Sequence, residues 1–123
     1  MAANVLLVDD DPRNIFALSA VLKSRGFKVI ACNGAKEAID ICNSDQKIDI
    51  VLMDMMMPGM DGYEAIPLIR EIPTHKATPI IAVTAQAMVG DREKSIGAGA
   101  DGYVSKPVDI DKLMAVFAEN KVG

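Results

Sequence analysis

Tryptophan is absent from this 123-residue sequence, and aromatic residues make up only 4% of it. Any core must therefore be aliphatic, and with half of the residues hydrophobic there is enough material to build one without disulfide or metal staples. One domain spanning residues 1–123 is expected. Positive charge is also in short supply: 13 basic residues face 17 acidic ones, for a net charge of −4. That balance argues against nucleic acid as a direct ligand, because a phosphate backbone demands clustered Lys and Arg. No apolar run approaches the roughly 20 residues of a membrane span. The opening MAANVLLVDDD turns acidic too soon for a signal peptide, so no direct membrane role and a cytoplasmic location are expected. The only cysteines, Cys32 and Cys42, lack metal or redox spacing and read as small, reduced core residues. The single histidine, His75, has no partner at ligand spacing and reads as a solvated loop residue.

What is present is alternation. Short apolar runs recur at residues 5–8 (VLLV), 27–31 (FKVIA), 50–53 (IVLM), 79–83 (PIIAV) and 103–105 (YVS), each bounded by turn residues. Helical spacing fills the gaps. Pro12 opens the first helix, Ile15, Leu18 and Leu22 form its stripe with Val21 on the flank, and Gly26 stops it. Ala35, Ala38, Ile39 and Cys42 mark the second helix, starting near Asn33 and Gly34. Asp61 and Glu64 form a capping box for the third, and Pro67 inside it predicts a bend or loosened turn between Tyr63 and Pro67. Residues 73–78 read as a polar loop. Residues 86–98 predict a fourth helix with a weak stripe, chiefly Val89 and Ile96 with alanines, and hence the least firmly docked one. Asp109 caps the last helix, whose Ile110, Leu113, Met114 and Phe117 face inward. Five β–α units with continuous apolar strands imply an α/β fold: a doubly wound, five-stranded parallel sheet of flavodoxin-like order 2-1-3-4-5 with five helices.

In such a sheet every strand's carboxyl end lies on one edge. The residues that follow the strands are Asp9 and Asp10, Asp54, Thr84 and Lys106. Singly, each has an ordinary explanation: an Asp run before a proline caps a helix, a Thr ending a strand bonds backbone, a Lys before a proline is a solvated loop residue. Jointly, at four strand ends, they describe a site. Strands 1 and 3 are neighbours at the topological switch point, so three carboxylates meet in one crevice. They repel one another unless a cation enters. An all-oxygen, carboxylate-rich site suits Mg²⁺ or Mn²⁺. With a divalent ion and Lys106 the crevice carries about zero net charge, and a phosphoryl group arriving there meets a metal, an ammonium and a hydroxyl. A carboxylate can itself be the nucleophile, giving an acyl phosphate. Asp54 stands alone on its strand and is the choice; Asp9 and Asp10, a contiguous pair, suit the ion. The methionines at 53, 55, 56, 57 and 60 could suggest a soft metal such as copper, but Met53 lies in a strand and the others read as packing under the loop.

These stretches, VLLVDDDP, VLMDMMMPGMDG, PIIAVTAQA and GYVSKP, occur in the order and spacing of one family. The chain resembles the receiver domain of two-component response regulators, of the CheY-like superfamily, over essentially its whole length. The resemblance implies a phospho-accepting signalling switch, not an enzyme acting on outside substrates, with Asp54 as phospho-acceptor. It implies Mg²⁺ held directly by Asp10, Asp54 and the backbone carbonyl of Met56, with Asp9 assisting through water. Thr84 would bond the phosphoryl group and Lys106 pair with it, the Lys106–Pro107 peptide being cis. Tyr103 would be the switch aromatic, turning inward as Thr84 moves. The phosphodonor would be a histidine kinase or a histidine phosphotransfer protein, docking beside the first helix near Arg13, Asn14 and Ala17. The output surface, for an unnamed downstream protein, would be helix 4, strand 5 and helix 5. No output domain is visible, and PRNIFAL and AQAMVGDREK resemble receivers of hybrid kinases, so a stand-alone regulator and a hybrid-kinase receiver are both open. Alternatives are a phosphatase of the haloacid dehalogenase type, a flavodoxin-like electron carrier and a degenerate, phosphate-independent receiver. The first wants a second Asp where Met56 stands, and the second a Ser/Thr-rich loop where Asp9, Asp10 and Asp11 stand.

Overall fold

The computed structural model describes residues 3–85 and 90–122. Five strands, β1 (Asn4–Val8), β2 (Lys28–Cys32), β3 (Ile50–Asp54), β4 (Ile80–Thr84) and β5 (Gly102–Ser105), form one sheet in the order β2-β1-β3-β4-β5. All pairings are parallel. Helices α1 (Pro12–Ser24), α2 (Ala35–Cys42), α3 (Gly62–Arg70), α4 (Asp91–Gly97) and α5 (Ile110–Glu119) alternate with the strands. The expected fold is the observed one. The apolar runs of β1, β3 and β4 are buried on both sides because each faces a separate core. Leu6, Val51, Met53 and Ile80 pack with Ala38, Ala65, Ile66 and Ile69 on one side. Leu7, Ile50, Leu52 and Ile81 pack with Leu18, Leu22, Leu113 and Phe117 on the other. The few aromatics still matter: Phe27 and Phe117 meet edge to face, their ring centroids 5.2 Å apart. Cys32 and Cys42 are buried free thiols, and burial pushes both up to about 11, as inert core residues require.

Helix starts follow their signals. Asp11 accepts from the Arg13 N–H at 3.0 Å, ahead of Pro12 at the first turn of α1. The Asp61–Glu64 capping box is complete, and Asp109 accepts from the N–H groups of Asp111 and Lys112. Gly26 has φ 91°, the left-handed exit from α1. Pro67 does not break α3, which continues to Arg70 with the proline on its exposed side. Gly62 is needed at the start of α3 because a Cβ there would stand 2.9 Å from the Met55 Cα.

Five expectations need correction. His75 is buried, 5% exposed, in a 3-10 turn at Pro73–His75, with Nδ1 2.9 Å from the Thr78 hydroxyl. Its sequence neighbours are polar, but the turn folds the ring under the loop. Met55 and Met57 are buried under the loop as expected, whereas Met56 is 66% exposed, since alternate side chains of an extended segment point to opposite sides. Strand β2 is displaced by one residue, beginning at Lys28 and ending at Cys32. The helix expected over 86–98 is observed at Asp91–Gly97, and residues 86–89, including Gln86 and Val89, lie outside the described residues. In α4 it is Ser95, not Ile96, that is buried.

Candidate functional site

The register of the sheet builds the site. Val8 pairs with Met53, so the residues immediately beyond, Asp9 and Asp54, emerge side by side. Asp54 pairs with Val83, and Thr84 with Ser105, which carries Lys106 to the same edge. The carboxylates of Asp9, Asp10 and Asp54 each offer an oxygen, all within 4.8 Å of one another. Asp9 and Asp54 are each 2% exposed, while Asp10 is exposed at the rim.

Each buried carboxylate is held. Asp9 Oδ1 accepts from the Asp11 N–H at 2.9 Å, and Oδ2 from the Asn14 amide at 2.5 Å. Asp54 Oδ1 accepts from the Met56 N–H at 3.1 Å. Lys106 Nζ lies 3.2 Å from Asp9 Oδ2 and 3.3 Å from Asp54 Oδ2, bridging the pair with one positive charge. Its backbone N–H donates to the Thr84 carbonyl, and the Lys106–Pro107 peptide is cis. The Thr84 hydroxyl, buried, donates to the Tyr103 hydroxyl at 3.0 Å, with Tyr103 half-buried.

The electrostatics follow from this crowding. Burial, before all else, pushes the Asp54 carboxyl up to about 6; the neighbouring Asp9 charge adds to the rise, while the Met56 N–H and Lys106 oppose it. Burial pulls the Lys106 ammonium down, but Asp54 and Asp9 together outweigh it and hold the group above its ordinary value. One ammonium thus serves two buried carboxylates with a third at the rim. The residues fit a hard divalent cation: the donors are all oxygen, they converge, and the negative charge exceeds what Lys106 neutralises.

The structure therefore brings together Asp9, Asp10, Asp54 and Lys106 in direct contact or near it, with Met56 bonded to Asp54 through its backbone and Thr84 linked to Tyr103. Sequence reasoning missed the part of Asn14, which fixes Asp9; the signal was a polar side chain in the first turn of a helix that starts beside the carboxylates. It also missed Phe16, 78% exposed on α1 in a shallow hollow with Pro12, Ile15 and Ala20.

Comparison with known proteins gives the same outline. The kinase BarA of Escherichia coli K12, a signal transduction histidine-protein kinase, is 37% identical over 123 residues, all of this chain but 13% of that protein. The sensor protein GacS of Pseudomonas syringae is 36% identical over 118 residues, covering 94% of this chain and 13% of its own length. The chain thus spans about an eighth of the length of these relatives. The receiver domain of sensor histidine kinase PA1611 from Pseudomonas aeruginosa, crystallised with a magnesium ion in its active site cleft, superposes with a TM-score of 0.88 at 34% identity, covering 98% of this chain and 99% of that one. The chemotaxis protein CheY4 of Vibrio cholerae superposes with a TM-score of 0.89 at 26% identity, covering 97% and 98%. The family pattern described as the response regulator receiver domain matches residues 5–118. A sheet edge with paired buried aspartates bridged by a lysine, in a chain matched end to end by such relatives, identifies this protein as a member of the response regulator receiver domain family, a phosphoreceiver signalling switch.

Proposed function

We propose that Asp54 is the phospho-acceptor of residues 1–123, acting as one receiver domain. The observation that carries this reading is the Lys106 ammonium shared by the buried carboxylates of Asp9 and Asp54, with the Thr84 hydroxyl at the same edge. The donor is a phosphohistidine on a histidine kinase or a histidine phosphotransfer protein. The Asp54 carboxylate forms an O–P bond while the P–N bond of the donor breaks, and the electron pair of that bond returns to the imidazole nitrogen. Asp10, Asp54 and the Met56 carbonyl, with Asp9 through water, would hold Mg²⁺, and the ion would supply neutralisation of the charge that develops on the phosphoryl oxygens. Lys106 leaves its carboxylate partners for a phosphoryl oxygen, and Thr84 donates to another, breaking its bond to Tyr103. The chain promotes only its own phosphorylation and slow dephosphorylation.

The incoming donor meets α1, where Arg13 and Ala17 are exposed beside the apolar hollow at Phe16. Asn14 is committed to Asp9 instead. Phosphorylation adds nearly two negative charges and three acceptor oxygens. The Thr84–Tyr103 link carries the change to α4, β5 and α5, the face for a downstream protein. The buried thiols and the lack, among the described residues, of a helix long and apolar enough to cross a membrane fit a cytoplasmic setting. The complete set Asp10, Asp54, Thr84 and Lys106 speaks against a degenerate receiver, and the family match against a phosphatase.

The test is phosphotransfer from candidate kinases and phosphotransfer proteins, with the modified residue mapped by reduction of the acyl phosphate. We expect label on Asp54, and none in Asp54→Asn. Transfer that survives Asp54→Asn sinks the assignment.

A further inference from the structure

Asp9 and Asp54 share one lysine but are not held alike. Lys106 Nζ reaches Oδ2 of both, at 3.2 Å and 3.3 Å. Asp54 Oδ2 has no other hydrogen-bond donor among the described residues, since the Met56 N–H serves Oδ1. Asp9 Oδ2 has a second donor, the Asn14 amide, at 2.5 Å. Asp9 Oδ1 takes the Asp11 N–H at 2.9 Å. Two of the three donors on Asp9 thus come from the chain that opens α1, and the third comes from a long, mobile side chain across the cleft. When Lys106 departs, Asp54 Oδ2 is bared, whereas both oxygens of Asp9 stay bonded.

The difference matters because Asp9 is buried. A buried carboxylate oxygen stripped of its donors is penalised by more than the net worth of one hydrogen bond. The residue types around Asn14 fit this use. The first turns of α2, α3, α4 and α5 each carry an acidic residue, which suits the positive end of a helix. The first turn of α1 carries none. A carboxylate at position 14 would repel Asp9; an amide forgoes the dipole gain and supplies a donor. Asparagine is also a poorer helix former than glutamine or glutamate, and Asn14 is only partly buried, so neither propensity nor packing accounts for it.

We propose that Asn14 is a positioning residue for phosphoryl acceptance: its amide stays on Asp9 Oδ2 while Lys106 moves to the phosphoryl group, so that the departure of the lysine leaves no oxygen of Asp9 unpaired. The proposal rests on the reading of Asp54 as acceptor. Asn14 touches neither Asp54 nor the phosphoryl group; it acts through Asp9. Without its amide, Asp9 Oδ2 depends on Lys106 alone, and the lysine is held back in the resting chain. A ligand shifts such a balance only by its differential affinity for the two arrangements. The loss therefore falls on binding of a phosphoryl group, which draws Lys106 away, more than on binding of Mg²⁺ alone, which has nothing to offer an ammonium.

The experiment compares two titrations of the whole chain: Mg²⁺ alone, followed by amide NMR shifts, and beryllofluoride at saturating Mg²⁺, followed by fluorine NMR of the bound mimic. Asn14→Leu keeps the size of the side chain, and so excludes water, while removing the donor. It should weaken beryllofluoride about tenfold and Mg²⁺ alone by less than about threefold. Asn14→Gln restores an amide and should recover most of the loss. A loss for Mg²⁺ as large as that for beryllofluoride overturns the proposal, because Asn14 then only orients Asp9 for the metal. Unchanged affinity for beryllofluoride in Asn14→Leu overturns it too, as does a glutamine variant as weak as the leucine one. A wild-type chain that binds Mg²⁺ but no beryllofluoride overturns the acceptor reading instead.

Discussion

The Asp54 carboxyl is where burial and function conflict. Its pKa, pushed from an ordinary 3.8 to about 6, means that the metal-free folded chain binds a proton there which the unfolded chain has lost. Stability without metal therefore falls as pH rises from about 4 to about 6, and the full penalty persists above that. Asp54→Asn removes the titration. In a chelating buffer at pH 7 the variant should be more stable by about 1–3 kcal/mol, and the two proteins should converge near pH 4. Thermal unfolding across that range checks it; a gap that does not close on acidification would refute the cause given. Met56 raises a separate question. Its backbone N–H donates to Asp54, yet its side chain is exposed, and on the proposed reading of Asp54 it would shield an acyl phosphate there from an attacking water. Met56→Asn should speed dephosphorylation about tenfold, the worth of one well-placed hydrogen bond; an unchanged lifetime would sink the idea. At this scale the sequence was legible wherever chain order alone decides position, as for Asp9, Asp54, Thr84 and Lys106 after their strands. It was not legible where a partner arrives from folding: Asn14 on Asp9, or the Thr78 hydroxyl on His75.

Among the elements, those with a strong period or a cap were readable from the sequence, and α1, α2, α3 and α5 have one or both. Helix α4 has neither, and so its face could not be foreseen: its seven residues, DREKSIG, include one large apolar side chain, which leaves periodicity nothing to register. Helix α3 tests the opposite limit. Its capping box and its buried Ala65, Ile66 and Ile69 hold it together across a proline that should interrupt it. Tertiary burial wins because Pro67 lies on the exposed side, where the ring displaces no core atom. The lost backbone bond still has an energetic consequence. Pro67→Ala should stabilise the domain by about 1–2 kcal/mol, the helix-interior penalty of proline less its gain from restricting the unfolded chain. Urea denaturation measures this, and a midpoint that falls would show that the proline is instead matched to its site.

For the molecule as a whole, the sheet concentrates unfavourable charge at one edge and leaves the rest of the fold to hold it there. Two apolar cores, on either face, anchor β1 and β3 so firmly that their carboxylates cannot spread apart. If the proposed metal site is right, that rigidity would turn like-charge repulsion into affinity for a divalent cation. Mg²⁺ binding should stabilise the fold by mass action, by about 2.7 kcal/mol at a concentration a hundred times its dissociation constant, and so raise the unfolding temperature. The gain must depend on pH in a definite sense. Below about 6 the ion has to displace the proton on Asp54, so its apparent affinity drops; above it the carboxylate is already charged and the ion relieves the penalty. At fixed Mg²⁺ the rise in unfolding temperature should therefore be larger at pH 7.5 than at pH 5, and EDTA should reverse it. Asp54→Asn should flatten this dependence while lowering affinity, because the variant keeps Asp9 and Asp10 but loses the group whose ionisation the ion competes for. Equal shifts at both pH values in the wild type would separate metal binding from Asp54 and place the ion elsewhere on the acidic rim.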